Sequence, residues 1–304
     1  MPAIWNLFDK AIGASLPLIP KPIVRRFARR YVAGDSLDDA VARVKELGEW
    51  GACATLDVLG EEIESIAEGE IATTEYLQVL DRIKAEGLDA NISIKLTAFG
   101  LKIDPAITYD RVRAIVARAK ELGNFVRIDM EDSSTTTETL SIFRRLREEG
   151  FENVGVVLQA YMRRTQQDVA DHADLNPSYR LCKGIYIEPE EIAFNDFNEI
   201  NDNYMTVLKD MVMAGSYVGI ATHDHRLTDR AEAMIKDQSL ASDRYEFQML
   251  LGVDKELGTK LMAAGHKLRI YVPYGNQWYL YCMRRLKENP KIGRYVLFGM
   301  FKKN

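Results

Sequence analysis

Seven short, otherwise apolar runs of this chain carry a polar side chain close to their C-terminal end. They are Lys95 in SIKLTAFG, Asp129 with Glu131 in FVRIDMED, Gln159 in VGVVLQA, Arg180 with Lys183 in YRLCKGIY, Thr222 with His223 in YVGIATHD, Gln248 in YEFQMLLG and Tyr271 in KLRIYVPYG. One such residue reads as a salt-bridged or snorkelling side chain at a protein rim. Seven at comparable places carry more weight, because a charge in an apolar setting is costly unless it is paired or meets a ligand. Two chemistries fit the residue types. Lys95 or Lys183, borne on an apolar strand, suits Schiff-base formation with a carbonyl substrate. Alternatively, the ammonium and guanidinium groups form the local basic site that a small anionic or zwitterionic ligand needs.

A second constellation lies near the C-terminus. In QWYLYCMRRLKENP, Tyr281, Arg284, Arg285 and Glu288 stand three, four and seven residues apart, so they share one helical face. The plain reading is a solvated face with an Arg284–Glu288 pair at i,i+4, contributing a few tenths of a kcal/mol. The helix follows the run RIYVPYG almost at once, however, so its start must stay near the end of that strand. Two adjacent guanidiniums there suit a carboxylate, which arginine binds in bidentate fashion. His223, Asp224 and His225 in ATHDHRL invite a metal reading. Two histidines at i,i+2 on a strand point to opposite faces, and His172 and His266 complete no ligand set, so no metal is expected.

The elements that must hold these residues are legible in the texture of the chain. From Cys53 onward, eight apolar runs alternate with amphipathic segments such as TTEYLQVLDRIKAEG, TTTETLSIFRRLREEG, NYMTVLKDMVMAG and DKELGTKLMAAG, most of them ending in glycine. Short apolar runs separated by helices imply parallel strands buried on both faces. Eight such units close naturally into a (βα)8 barrel; an open doubly wound sheet has the same count. No GxGxxG or GxxxxGK[ST] follows any strand, which favours the barrel. In a barrel, residues late in the strands share one mouth, where such folds place their chemistry. Residues 1–50 read as helices only, ending in SLDDAVARVKELGEWG, and are expected to form a helical cover ahead of a catalytic barrel over 51–304.

Bulk composition agrees with a globular enzyme. The chain has 304 residues, 47% hydrophobic and 28% charged, and a net charge of −5 from interspersed acids and bases, which gives no push toward nucleic acid. Three separated cysteines, Cys53, Cys182 and Cys282, form neither a disulfide framework nor a zinc motif, and fit a reducing compartment. The N-terminal run is broken by Asp9 and Lys10 and is a poor signal peptide, and no stretch reaches the ~18 apolar residues of a spanning helix, so a cytoplasmic protein is expected. Ile4, Trp5, Leu7, Phe8, Ile12 and Leu16 approximate a helical stripe. Tyr295, Leu297, Phe298, Met300 and Phe301 stand beside Lys302 and Lys303. Either end fits a covering helix or peripheral contact with the inner membrane.

Taken in order, SIKLTAFG, IDMED, VLQAYMRRT, RLCKGIYIEP, ATHD, YEFQMLLG and RIYVPYGNQWYLYCMRRLKENP resemble the proline dehydrogenase family, over roughly residues 50 to 290. The resemblance implies a distorted (βα)8 TIM-type barrel that holds FAD at the C-terminal ends of its strands. It also implies oxidation of L-proline to Δ1-pyrroline-5-carboxylate, with a quinone as electron acceptor. It assigns Lys95, Leu250, Tyr271, Tyr281, Arg284, Arg285 and Glu288 to the substrate. Asp129 and Arg180 fall to the active centre, and Met130, Gln159, Arg180, Lys183, Gly184, Ile185, Thr222 and His223 to the flavin. Where this chain has Ile185, the family usually has a small residue, typically alanine. A non-catalytic binding barrel and a Schiff-base aldolase or lyase are the competing functions.

Overall fold

Each of the eight apolar runs forms a strand, and the alternation of side chains along it has an unusual division of labour. Leu56, Ile92, Ile94, Val126, Ile128, Val156, Leu158, Leu181, Ile220, Phe247 and Ile270 pack outward into one hydrophobic layer with the surrounding helices. The intervening positions face the barrel axis and are largely polar: Thr55, Asp57, Ser93, Arg127, Gln159, Arg180, Glu246, Gln248, Arg269 and Tyr271. Barrel interiors are commonly filled by branched aliphatic residues. Here charge fills the interior, and it is stable there only because nearly every group has a partner.

A computed structural model describes residues 25, 28–60, 62–279 and 281–282. Its strands are β1 (Cys53–Val58), β2 (Ala90–Ile94), β3 (Val126–Ile128), β4 (Val154–Gln159), β5 (Ser178–Cys182), β6 (Tyr217–Ala221), β7 (Tyr245–Leu250) and β8 (Leu268–Tyr274). All pair in parallel in chain order, and β8 closes onto β1 from Cys53↔Arg269 to Val58↔Tyr274. The expected (βα)8 barrel is therefore the fold, and the open-sheet alternative is excluded. The described helices are α1 (Leu37–Trp50), α2 (Ile66–Ala85), α3 (Pro105–Glu121), α4 (Ser133–Glu148), α5 (Thr165–Asp171), α6 (Phe197–Met213), α7 (His225–Asp237) and α8 (Lys255–Ala263). Side-chain caps begin several of them: Ser36 with Asp39 in a capping box, and Asp104, Asp132, Asp196 and Asp224.

Two departures from a regular barrel shape its C-terminal mouth. Helix α1 precedes β1 and buries Ala40, Val41, Val44 and Leu47 while packing on β8 and β1, the flank that the helix after β8 takes in a regular barrel. The chain after β8 instead turns at Gly275, with Gln277 beside Gly60 of the β1 loop, and reaches Tyr281 and Cys282, both buried. The second departure is a gap. The β1–β2 ladder runs only from Ala54↔Ala90 to Leu56↔Ile92. Above it the hydroxyl of Tyr76, from α2, accepts from Val58 N at 3.1 Å and donates to Ser93 O at 2.8 Å, which satisfies two backbone groups that the parted strands leave behind.

Candidate active site

Four of the residues singled out by sequence meet across the mouth from four different strand ends. Arg180 on β5 donates to Asp129 Oδ1 at 2.7 Å and to Ser93 Oγ at 3.0 Å, and Ser93 Oγ donates to the same carboxylate oxygen at 2.6 Å. Tyr271 on β8 donates to Asp129 Oδ2 at 2.8 Å, and Lys95, just past β2, donates to the Tyr271 hydroxyl at 3.3 Å. The guanidinium of Arg180 also lies over the Tyr271 ring, 5.2 Å from its centroid. Burial raises the Tyr271 phenol well above its ordinary pKa, and the nearby Asp129 and Asp57 carboxylates raise it further, so it stays a proton donor at neutral pH.

The strand run that had no assigned residue supplies a fifth member. Asp57, at the end of CATLDV on β1, accepts from Lys95 Nζ at 2.8 Å and is 1% exposed. Burial raises its carboxyl, the Lys95 ammonium opposes that, and Asp129 adds to it. The rule that found the other seven, a polar residue late in an apolar strand, applies equally to Asp57. Ser93 was missed for a different reason: a serine within a strand is ordinary, and only its contact with Asp129 and Arg180 gives it a task.

A lower charged layer, of which the sequence pointed only to Gln248, closes the barrel beneath. Arg269 donates to Glu246 Oε1 at 2.6 Å and to Ala54 O at 2.6 Å, and Gln248 donates to Glu246 Oε1 at 2.7 Å. Gln248 accepts from Arg180 Nε on its other side and so joins the two layers. Gly219 makes this possible, because a Cβ there would lie 2.4 Å from Gln248 Nε2. Burial alone would raise the Glu246 carboxyl. The charge and hydrogen bond of Arg269, with Lys267 and Gln248, outweigh it and hold Glu246 down at about 2.

The residues assigned to a cofactor stand at or just past the ends of β3, β4, β5 and β6, on one side of the mouth. Gln159 Nε2 donates to the Met130 and Glu131 carbonyls at 3.0 Å each, and its buried Oε1 accepts no hydrogen bond among the described residues. Lys183 pairs with Asp224 at 2.7 Å and lies 4.1 Å from the Phe197 ring centroid. Gly184, at φ +123°, is pressed on Tyr161, where a Cβ would fall 2.1 Å from a ring carbon, so packing alone requires glycine there. Ile185 is 38% exposed. Thr222 accepts from Asp224 N at 3.1 Å, and His223 Nε2 accepts from Leu250 N at 2.8 Å, which sets the ring's tautomer and ties β6 to β7. Glu131 holds Thr97 N and Oγ1 just after β2. His223, Asp224 and His225 have separate partners, in Leu250, Lys183 and Asp254. Tyr281 is buried next to Cys282, and Arg284, Arg285 and Glu288 lie outside the described residues.

A closed parallel barrel with a buried, hydrogen-bonded ring of opposite charges at its C-terminal mouth defines a small-molecule enzyme of the TIM-barrel class. The proline dehydrogenase family model matches residues 40–294, and the chain belongs to that family. It is 38% identical over 276 residues to proline dehydrogenase 1 of Bacillus subtilis subsp. natto, covering 91% of each chain. It is 36% identical over 311 residues to the proline dehydrogenase of Deinococcus radiodurans, covering 98% and 99% of the two. Among solved structures, proline utilization A from Bdellovibrio bacteriovorus superposes with a TM-score of 0.81 at 24% identity. That likeness covers 91% of this chain and 34% of the other, so this chain spans about a third of the larger protein.

Proposed function

We propose that this chain is an FAD-dependent proline dehydrogenase that oxidises L-proline to Δ1-pyrroline-5-carboxylate and hands the electrons to a quinone-type acceptor. Residues 51–304 would form the catalytic barrel and residues 1–50 its helical cover. The observation that carries the reading is the Lys95–Tyr271–Asp129–Arg180 chain of hydrogen bonds at the mouth, in a member of the proline dehydrogenase family. Bound FAD supplies the two-electron acceptor for the hydride that leaves the ring carbon next to nitrogen.

The chain's own residues account for the rest. The acceptor oxygen of Gln159, buried and without a donor among the described residues, suits the N–H of a flavin ring. Arg180, held by Asp129, Ser93 and Gln248, offers a fixed cation beside it, and Lys183 a second one on the same side of the mouth. Met130, Gly184, Ile185, Thr222 and His223 would line the cofactor. Lys95 would receive the substrate carboxylate together with Arg284 and Arg285, while Tyr271, Tyr281, Glu288 and Leu250 bound the ring and its amine. Fixing a small zwitterion in one orientation is most of what the protein must contribute to such a reaction.

The aldolase reading requires an unprotonated lysine, yet the ammonium groups of Lys95 and Lys183 are each paired with a carboxylate, Asp57 and Asp224. The deciding experiment is the visible spectrum of the purified protein with FAD, before and after anaerobic addition of proline. Flavin bands that proline bleaches are the expected result. A colourless protein, or borohydride trapping of a lysine with a carbonyl compound, overturns the reading. For the acceptor, no described helix is long and apolar enough to cross a membrane, and both terminal apolar stripes lie outside the described residues. Vesicle co-sedimentation of the intact chain against versions shortened at either end tests peripheral contact. Equal or absent binding in all three rules the termini out.

A further inference from the structure

Asp57 has no task in the chemistry proposed above, and it is too deeply buried, at 1% exposure, to meet a ligand itself. Its surroundings point to an indirect role. Among the described residues Lys95 has two carboxylates within 4 Å, Asp57 at 2.8 Å and Asp129 at 3.9 Å. Both oxygens of Asp129 are already engaged, Oδ1 by Arg180 and Ser93 and Oδ2 by Tyr271. Of these two, Asp57 is the carboxylate that answers Lys95. The parting of β1 from β2 makes room for the pair, and the Tyr76 hydroxyl that plugs this gap lies 3.4 Å from Asp57 Oδ1.

Resting on the function proposed above, we propose that Asp57 is the positioning residue for Lys95, holding the ammonium clear of Asp129 and ready for a substrate carboxylate. A lysine stem has four rotatable carbons and no geometry of its own, so its ammonium goes where the nearest available anion is. Without Asp57 the next anion among the described residues is Asp129. A lysine drawn there competes with Arg180 and Tyr271 for oxygens they already use, and faces the substrate less.

The test is Asp57→Asn in the full chain loaded with FAD, alone and in a Lys95→Met background. Affinities for cyclopentanecarboxylate and for prolinamide are read by calorimetry, and turnover with proline is read beside them. Asp57→Asn is expected to weaken cyclopentanecarboxylate and raise the KM for proline by about tenfold or more, with a smaller change in kcat. Prolinamide affinity and FAD affinity should stay within about twofold, and in the Lys95→Met background the same substitution should add less than about twofold, as for two residues acting through one contact. Equal losses for both ligands, no binding of cyclopentanecarboxylate to the wild type, or an undiminished effect without Lys95 overturns the proposal. Asp57→Ser is read in the same way if the asparagine variant does not fold. If neither folds, the proposal also fails, since it requires that a folded chain without Asp57 still bind FAD and prolinamide. Calorimetry is independent of turnover, so a protein that binds these ligands as expected but does not oxidise proline would sink the functional reading and leave this one standing.

Discussion

The barrel contains two layers of buried charge, and they behave differently. In the lower layer Arg269 and Glu246 sit 2.6 Å apart, 9% and 3% exposed, and Glu246 is held at about 2. In the upper layer Lys95 and Asp129 retain 16% and 13% exposure, Asp57 is pushed up by burial, and Gln159 keeps an acceptor oxygen without a donor among the described residues. The residue types are nearly the same. A buried ion pair closed off from the mouth, as Glu246 is between Arg269 and Lys267, serves as structure, whereas one whose members face the mouth has charge left over for a ligand. Gln248 connects the two, so the lower layer is also the floor on which Arg180 rests.

Perturbing the layers separately should divide activity from stability. The largest effect is expected from Arg180→Met in the upper layer: a loss of about a thousandfold or more in kcat/KM, or about 4 kcal/mol, because Asp129 keeps its charge and loses its cation. Activity within tenfold of wild type would show that the upper layer is structural too. Next comes Glu246→Gln, expected to cost about 3 kcal/mol of stability at neutral pH by leaving Arg269 unpaired, as read by urea unfolding.

The pH dependence of that term follows from its sign. The folded carboxyl lies at about 2, below its ordinary value of 4.5, so the stability it contributes is present above pH 4.5 and is lost as pH falls toward about 2. Asp57 has the opposite sign: its contribution is present below the usual carboxylate range and is lost as pH rises through its elevated value. Acid unfolding of the wild type that matches Glu246→Gln would contradict the contrast.

Arg284→Met or Arg285→Met tests whether the upper layer continues into the last helix. Each should raise the KM for proline by about thirtyfold or more, roughly 2 kcal/mol, with FAD still bound. An unchanged KM would leave the pair as a solvated helix face. The smallest effect expected concerns Tyr281. Proline should be preferred over 4-hydroxyproline by about tenfold in kcat/KM, since a bulky ring excludes the added hydroxyl and removes its water. Equal kcat/KM for the two would place Tyr281 away from the substrate ring.

The alternation of apolar runs with amphipathic helices determined the strands, their number and their parallel sense, because a short run buried on both faces has few other solutions. The ordered motifs determined the family, and the polar residues at the strand ends determined which of them would meet. Asp129, Arg180, Lys95 and Tyr271 do meet, from four strands. What escaped the sequence depends on distance across the barrel. Glu246 looks like any acid in a strand until closure brings it to Arg269, and Asp57, which fits the rule of a polar residue late in an apolar strand, shows its partner only when closure brings it to Lys95. Gly219 and Gly184 look like ordinary glycines until Gln248 and Tyr161 press on them. Helix α1 reads as a cover, and only barrel closure decides that it fills the flank between β8 and β1. Periodicity specifies which way a side chain points from its own backbone; whether the group it then meets is a partner, a wall or open space is a property of the closed tertiary structure.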